Sequence, residues 1–118
     1  MLARDTLIMR PRSNVERRRN QRVATPSGMW VSWRVGKQEQ SITSRVRDFS
    51  LGGAFIASEE TVPVGSRLDL HFSLPEGQIQ VQGIVRNVRE GKGMGVEFVS
   101  MPGTALDLIL AAMKRMLV

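Results

Sequence analysis

A mainly β chain ending in a single helix is what this sequence predicts, and three observations carry the prediction. Leu68, Leu70, Phe72 and Leu74 alternate with Arg67, Asp69, His71 and Ser73, the period of two expected of a half-buried strand. Further runs rich in valine, isoleucine and aromatic residues are separated by glycine and proline turn signals. Only near the C-terminal end does the period change, where Leu106, Ile109, Leu110, Met113, Met116 and Leu117 recur at helical spacing. From the residues alone this fits a β-barrel or sandwich with one helix.

Taken in order, residues 1–16 show no sustained apolar period and carry Pro11, Ser13 and Asn14, so an extended lead-in is expected. The division drawn is a flexible basic lead-in over residues 1–13 and one domain over residues 14–118. Thr25-Pro26-Ser27-Gly28 is a turn signal, placing Arg17 to Arg22 on a flexible connection before the first strand. Met29 to Val35 is that strand, with Trp30, Ser32 and Arg34 on one face and Met29, Val31, Trp33 and Val35 on the other. Both tryptophans read as barrel packing, although Trp30, on the polar face, is also placed to stack on a base.

After a hairpin at Gly36-Lys37-Gln38, residues 39–49 form a second strand. Ile42, Ser44, Val46 and Asp48 alternate there against Thr43, Arg45, Arg47 and Phe49. Ser50-Leu51-Gly52-Gly53 then turns into a third strand, Ala54 to Ser58. Pro63 cannot donate to a ladder and marks the following stretch as loop. The strand from Arg67 to Leu74 leads through Pro75-Glu76-Gly77 into Gln78 to Arg89, where Gly83 marks a bulge or bend.

Gly91-Lys92-Gly93-Met94-Gly95 superficially resembles a phosphate-binding loop. It lacks a helix behind it and is assigned to a β-hairpin leading into Val96-Glu97-Phe98-Val99. Thr104 is expected to cap the terminal helix, with Asp107 in the place of a capping-box acid and Lys114 and Arg115 complementing its C-terminal end. Its apolar stripe is expected to cover an open barrel end, with contact to a partner or a second copy as a further use.

At 118 residues the chain is expected to form one domain, and 42% hydrophobic content excludes global disorder. No apolar run approaches the roughly 20 residues of a membrane span. Met1 to Met9 has neither the apolar core nor the cleavage site of a secretory signal, and the absence of cysteine permits the expected cytoplasmic location. His71, the only histidine, has no cysteine or second histidine beside it and reads as an exposed strand residue; no metal or cofactor is expected. With no nucleophile–base constellation or usefully spaced carboxylate pair, neither is an enzyme.

The net charge of +6 is localised. Residues 1–22 hold seven arginines against Asp5 and Glu16, a balance of +5, and the rest of the chain holds ten basic against nine acidic side chains. Four of those arginines fall within Arg17-Arg18-Arg19-Asn20-Gln21-Arg22. Arginine forks onto phosphate or the O6/N7 edge of guanine and stacks on bases. About thirty residues later, Asp48-Phe49-Ser50-Leu51-Gly52-Gly53 supplies a carboxylate and a hydroxyl that accept hydrogen bonds from guanine's amino and imino groups, with glycines that admit a close backbone approach. Taken singly, each has a plainer account: a solvated basic arm for the first, and for the second an Asx or serine turn bonded only to its own backbone.

Together, Arg18-x-x-x-Arg22 with Arg17 before it and Asp48-x-Ser50-x-x-Gly53 after it resemble the paired RRxxxR and [D/N]xSxxG signatures of the PilZ domain, a bacterial receptor module for cyclic di-GMP. The resemblance covers roughly residues 14 to 117. It implies a six- or seven-stranded antiparallel β-barrel with a C-terminal α-helix and a flexible N-terminal arginine-rich arm. It also implies a ligand-binding set. Arg18 and Arg22 would contact phosphate and guanine edge, Asp48 and Ser50 one base, and Gly53 would meet a backbone requirement of the loop, with Gly52 assisting. Arg17 is suited to hold a second, stacked ligand molecule. The implied function is a receptor that orders its arm on binding cyclic di-GMP and signals to a downstream effector protein, with no membrane span. Two alternatives stand beside it: a basic barrel for single-stranded nucleic acid, disfavoured because only six aromatics are present, and a ligand-independent PilZ adaptor acting through its helix.

Overall fold

The structure, a computed structural model, describes residues 23–25 and 29–117. Seven strands precede one helix: β1 (Val23–Ala24), β2 (Trp30–Val35), β3 (Ile42–Phe49), β4 (Gly53–Ala57), β5 (Arg67–Leu74), β6 (Gly77–Arg89), β7 (Gly93–Ser100) and α1 (Gly103–Leu117). Every pairing is antiparallel. Six strands run in the order β3-β2-β5-β6-β7-β4, and a β3–β4 pairing closes them into a barrel, which leaves no open edge on those strands. The extra strand, β1, was not foreseen. It takes the part of the β3 edge that β2 leaves: β2 pairs with Ile42 to Arg45, and β1 with Asp48 and Phe49.

The interior follows from alternation. Val31 and Trp33, Leu68 to Leu74 at every second position, Ile79, Val81 and Val85, and Met94, Val96 and Phe98 all point inward. Phe49, Phe72 and Phe98 meet edge to face with ring centroids 5.5 to 6.2 Å apart. The buried indole N–H of Trp33 donates to Ser44 Oγ at 2.9 Å, so the one buried polar side chain of β3 is satisfied. Trp30, by contrast, is 50% exposed on the outer wall, so only one of the two tryptophans packs inside.

Gly83 does sit beside a bulge. A Cβ there would lie 2.4 Å from Val96 Cγ1, and the ladder to β7 slips between Gln82 and Gly83. The glycine-rich stretch at 91–95 is the β6–β7 hairpin and the start of β7. At the other end of the chain α1 begins at Gly103, so Thr104 lies inside the first turn and does not cap it; the Ala105 N–H instead reaches the Pro102 carbonyl at 2.9 Å. Ala105, Ile109 and Ala112 enter the core, and Leu108 lies over Gly77 at the β5–β6 turn. Arg115 donates to both oxygens of Glu76, at 2.6 and 3.2 Å, fastening the helix to the same turn.

Candidate functional site

The connection from β3 to β4 is built around Ser50, which is 2% exposed. Its hydroxyl oxygen accepts the N–H groups of Gly52 and Gly53 at 3.2 and 3.1 Å and donates to the Gly53 carbonyl, while the Ser50 N–H donates to that carbonyl at 2.8 Å. The Gly52 carbonyl in turn accepts the N–H of Phe98 at 2.8 Å. The loop is thus closed on itself and sewn to β7. Neither Gly52 nor Gly53 uses a positive φ. Gly53 is required for another reason, because a Cβ there would stand 2.2 Å from the Val96 carbonyl oxygen.

Asp48 is aimed by a bulge. Val46 opposes Ile56, but Asp48, not Arg47, opposes Phe55, so Arg47 is the extra residue on β3. The strict alternation expected for this strand therefore breaks: Phe49 turns into the core, and Arg47 and Asp48 both stay on the outer side. On the other edge of β3, Ala24 of β1 opposes Asp48, and Val23 opposes Phe49. Thr25 holds that short strand in place. Its N–H donates to the Arg47 carbonyl at 3.1 Å, and its hydroxyl contacts the carbonyls of Val46 and Arg47.

Across the outer wall the ladders align Ala24, Asp48, Phe55, Gly95 and Asn87 in one row over five strands. At about 4.8 Å per strand, Asp48 and Asn87 lie roughly 14 Å apart along this row. A second bulge ends it: Val85 opposes Val96 and Asn87 opposes Gly95, which leaves Arg86 as the extra residue. Glycines in the middle of the wall make room for neighbouring side chains. The Asn87 amide lies where a Cβ on Gly95 would be, at 2.6 Å, and the Phe55 ring lies where one on Gly93 would be, at 2.8 Å. Phe55 is buried yet faces the outer side of the wall, because Ala54 and Ile56 take the inward positions; it is covered by the guanidiniums of Arg47 and Arg89, 5.7 and 5.5 Å from its centroid. A parallel row holds Trp30, Arg45, Ala57, Gly93 and Arg89.

A family model of the PilZ domain matches residues 16–115. This chain belongs to the PilZ family. Among solved structures it is similar to the PilZ domain with c-di-GMP of YcgR from Escherichia coli, with a TM-score of 0.69 and 16% identity over 85% of this chain and 91% of that one. It is similar also to the inhibitor of motility MotI/DgrA of Bacillus subtilis, with a TM-score of 0.67 and 24% identity over 84% of this chain and 52% of that one. A third is the PlzA protein of Borreliella burgdorferi in complex with c-di-GMP, with a TM-score of 0.60 and 16% identity over 91% of this chain and 45% of that one. At these identities the likeness is one of fold. No curated protein matches the sequence closely.

Of the PilZ signature residues, Asp48, Ser50, Gly52 and Gly53 come together at the β3–β4 connection, whereas Arg17, Arg18 and Arg22 lie outside the described residues. Sequence reading missed Thr25, Phe55, Arg47, Asn87 and Arg89. Only the turn-forming context of Thr25 and the asparagine in an otherwise valine- and arginine-rich strand offered any signal. Among the described residues no helix is long and apolar enough to cross a membrane.

Proposed function

We propose that this chain is a receptor for cyclic di-GMP, acting in the cytoplasm and without catalysis of its own, that binds its ligand on the outer wall beside Asp48. The observation that carries this reading is the pairing of β1 with the end of β3. Arg22 is bonded to Val23, which opposes Phe49, so the last motif arginine is tethered one residue from the strand flanking Asp48. A trans peptide allows only about 3.8 Å between successive Cα atoms, and Arg18 and Arg17 follow within a few residues. A tether this short supports one neighbourhood for the basic and acidic halves of the signature.

The chemistry is complementary to a cyclic dinucleotide of guanine. Arg18 and Arg22 neutralise phosphate and fork onto the guanine edge, and the Asp48 carboxylate accepts from a guanine's amino and imino groups. Ser50 acts through the loop, since its hydroxyl already holds the Gly52 and Gly53 N–H groups. The row from Asp48 to Asn87 offers hydrogen-bonding groups at both ends, with Arg47 and Arg89 over Phe55 adding positive charge between them. Arg17 holds a second, stacked ligand molecule. Binding orders the arm against the β3–β4 connection, and the changed surface is read by an effector protein. The PilZ domain of YcgR and the PlzA protein, both solved with c-di-GMP, support the choice of ligand. Single-stranded nucleic acid is a poorer fit, because Trp30 is the one aromatic side chain not buried.

Titration calorimetry with cyclic di-GMP tests this. Arg22→Ala and Asp48→Ala should each weaken binding more than about tenfold, the loss of a charge-assisted hydrogen bond. Arg17→Ala should lower the stoichiometry from two ligands per chain to one. Wild-type affinity in both of the first two variants would overturn the site.

A further inference from the structure

The helix α1 carries two apolar stripes offset by one residue. Ala105, Ile109, Ala112 and Met116 face the barrel. Leu106, Leu110, Met113 and Leu117 follow one another at intervals of 4, 3 and 4 residues, the a and d spacing of a two-helix seam. Leu106 and Leu110 are each 40% exposed and Leu117 is 62% exposed, so these three are spent little on the barrel, while Met113 is partly buried against the core and lies at the border of the two stripes. With the seam as positions d and a, Asp107 and Lys114 both fall at e, along the edge turned away from the barrel. Both are exposed, and neither has an ion-pair partner among the described residues.

We propose that this stripe is the contact between two copies of the chain, whose α1 helices pair antiparallel about a two-fold axis. Charge selects both the occupant and the direction. In an antiparallel pair the same edge of each helix faces itself, so Asp107 of one copy meets Lys114 of the other, and symmetry forms the contact twice. A parallel pair would set that edge against Ile109 and Met116, which are already committed to the barrel side. The antiparallel direction also brings each helix N-terminus near its partner's basic last turn and C-terminus, so the helix dipoles oppose favourably. Arg115 is spoken for by Glu76, which leaves Lys114 as the cation for this contact. Four seam residues make a small interface, and the association is therefore weak and governed by concentration.

Sedimentation velocity on the whole chain, from about 10 μM to about 1 mM, tests the pairing. The wild type should move from monomer to dimer across that range. Leu110→Glu should remain monomeric while keeping the wild-type circular dichroism and melting temperature, because the side chain it replaces is at the surface. Asp107→Lys should weaken the dimer about fivefold or more, and adding Lys114→Asp should restore it. A wild type monomeric at the highest concentration overturns the proposal, as does a dimer indifferent to Leu110→Glu. A dimer that Asp107→Lys leaves unchanged overturns the antiparallel pairing. A monomer that Leu110→Glu destabilises would mean that another segment of the same chain covers the stripe, which also overturns it. None of these readouts depends on ligand.

Discussion

Two walls of one barrel, built by the same alternation, look different from outside. On the β2-β5-β6 wall the register runs unbroken from Arg67 to Leu74. Its outward residues satisfy one another: Gln78 Oε1 meets His71 and Ser73, and Asp69 takes Arg34 and Gln82. This wall bears a polar concavity of about 570 Å³ lined by Ser32, Arg34, Asp69, His71, Gln80 and Gln82 among others. The β3-β4-β7-β6 wall is interrupted at Arg47 and again at Arg86, and its centre is glycine. Regular pairing makes a surface that uses up its own hydrogen-bonding groups. Bulges instead re-aim Asp48 and Asn87, and missing side chains make room for the Asn87 amide and the Phe55 ring.

The contrast can be broken most severely at Gly53. Gly53→Val drives a side chain into the Val96 carbonyl and should cost about 3 kcal/mol in a thermal or urea melt, whereas Gln80→Ala on the regular wall should stay within about 0.5 kcal/mol. Next comes Ser50→Ala, which strands the Gly52 and Gly53 N–H groups in a buried turn. A loss of about 2 kcal/mol in stability is expected, with weakened ligand binding as the loop relaxes. Asn87→Ala sharpens the comparison without touching the fold. It should reduce cyclic di-GMP affinity by about fivefold, a net hydrogen bond, where Gln80→Ala leaves it unchanged.

The smallest effect lies at the helix. The Arg115 guanidinium beside Glu76 holds that carboxyl below its ordinary pKa of 4.5, so folding favours its ionised form. The resulting stabilisation is complete above the unfolded value and is lost as pH falls through the lower folded one. Because Arg115 is more than a third exposed, the contribution is about 0.5 kcal/mol. Wild type and Glu76→Gln should differ in melting temperature at neutral pH and converge as the pH falls through the lowered folded value.

How legible the site was depended on whether local pattern and tertiary pairing agreed. The strand from Arg67 to Leu74 was plain because one face is buried along its whole length. The alternation expected along β3 breaks at its end because nothing in Arg45-Val46-Arg47-Asp48-Phe49 marks Arg47 as supernumerary; the bulge exists only against β4. A phenylalanine between Ala54 and Ile56 likewise gives no sign that its burial will come from two guanidiniums on the outer side. A strand of two residues, Val23–Ala24, has no period to detect, and it is real only through its partners on β3. The helix stripe was read as one surface, yet packing divides it, with Ile109 inside and Leu106 and Leu110 outside.

By itself the sequence determined the class of fold, the order of its main elements and the two signatures that define the family, because hydrophobic period, turn chemistry and motif spacing are all properties of neighbouring residues. Only the tertiary structure decided which side chains share the outer wall with Asp48, since Ala24, Phe55, Gly95 and Asn87 stand in one row through cross-strand register. Register is a relation between distant segments, set by bulges and by where glycine lets two backbones approach, and no local stretch of the chain encodes it.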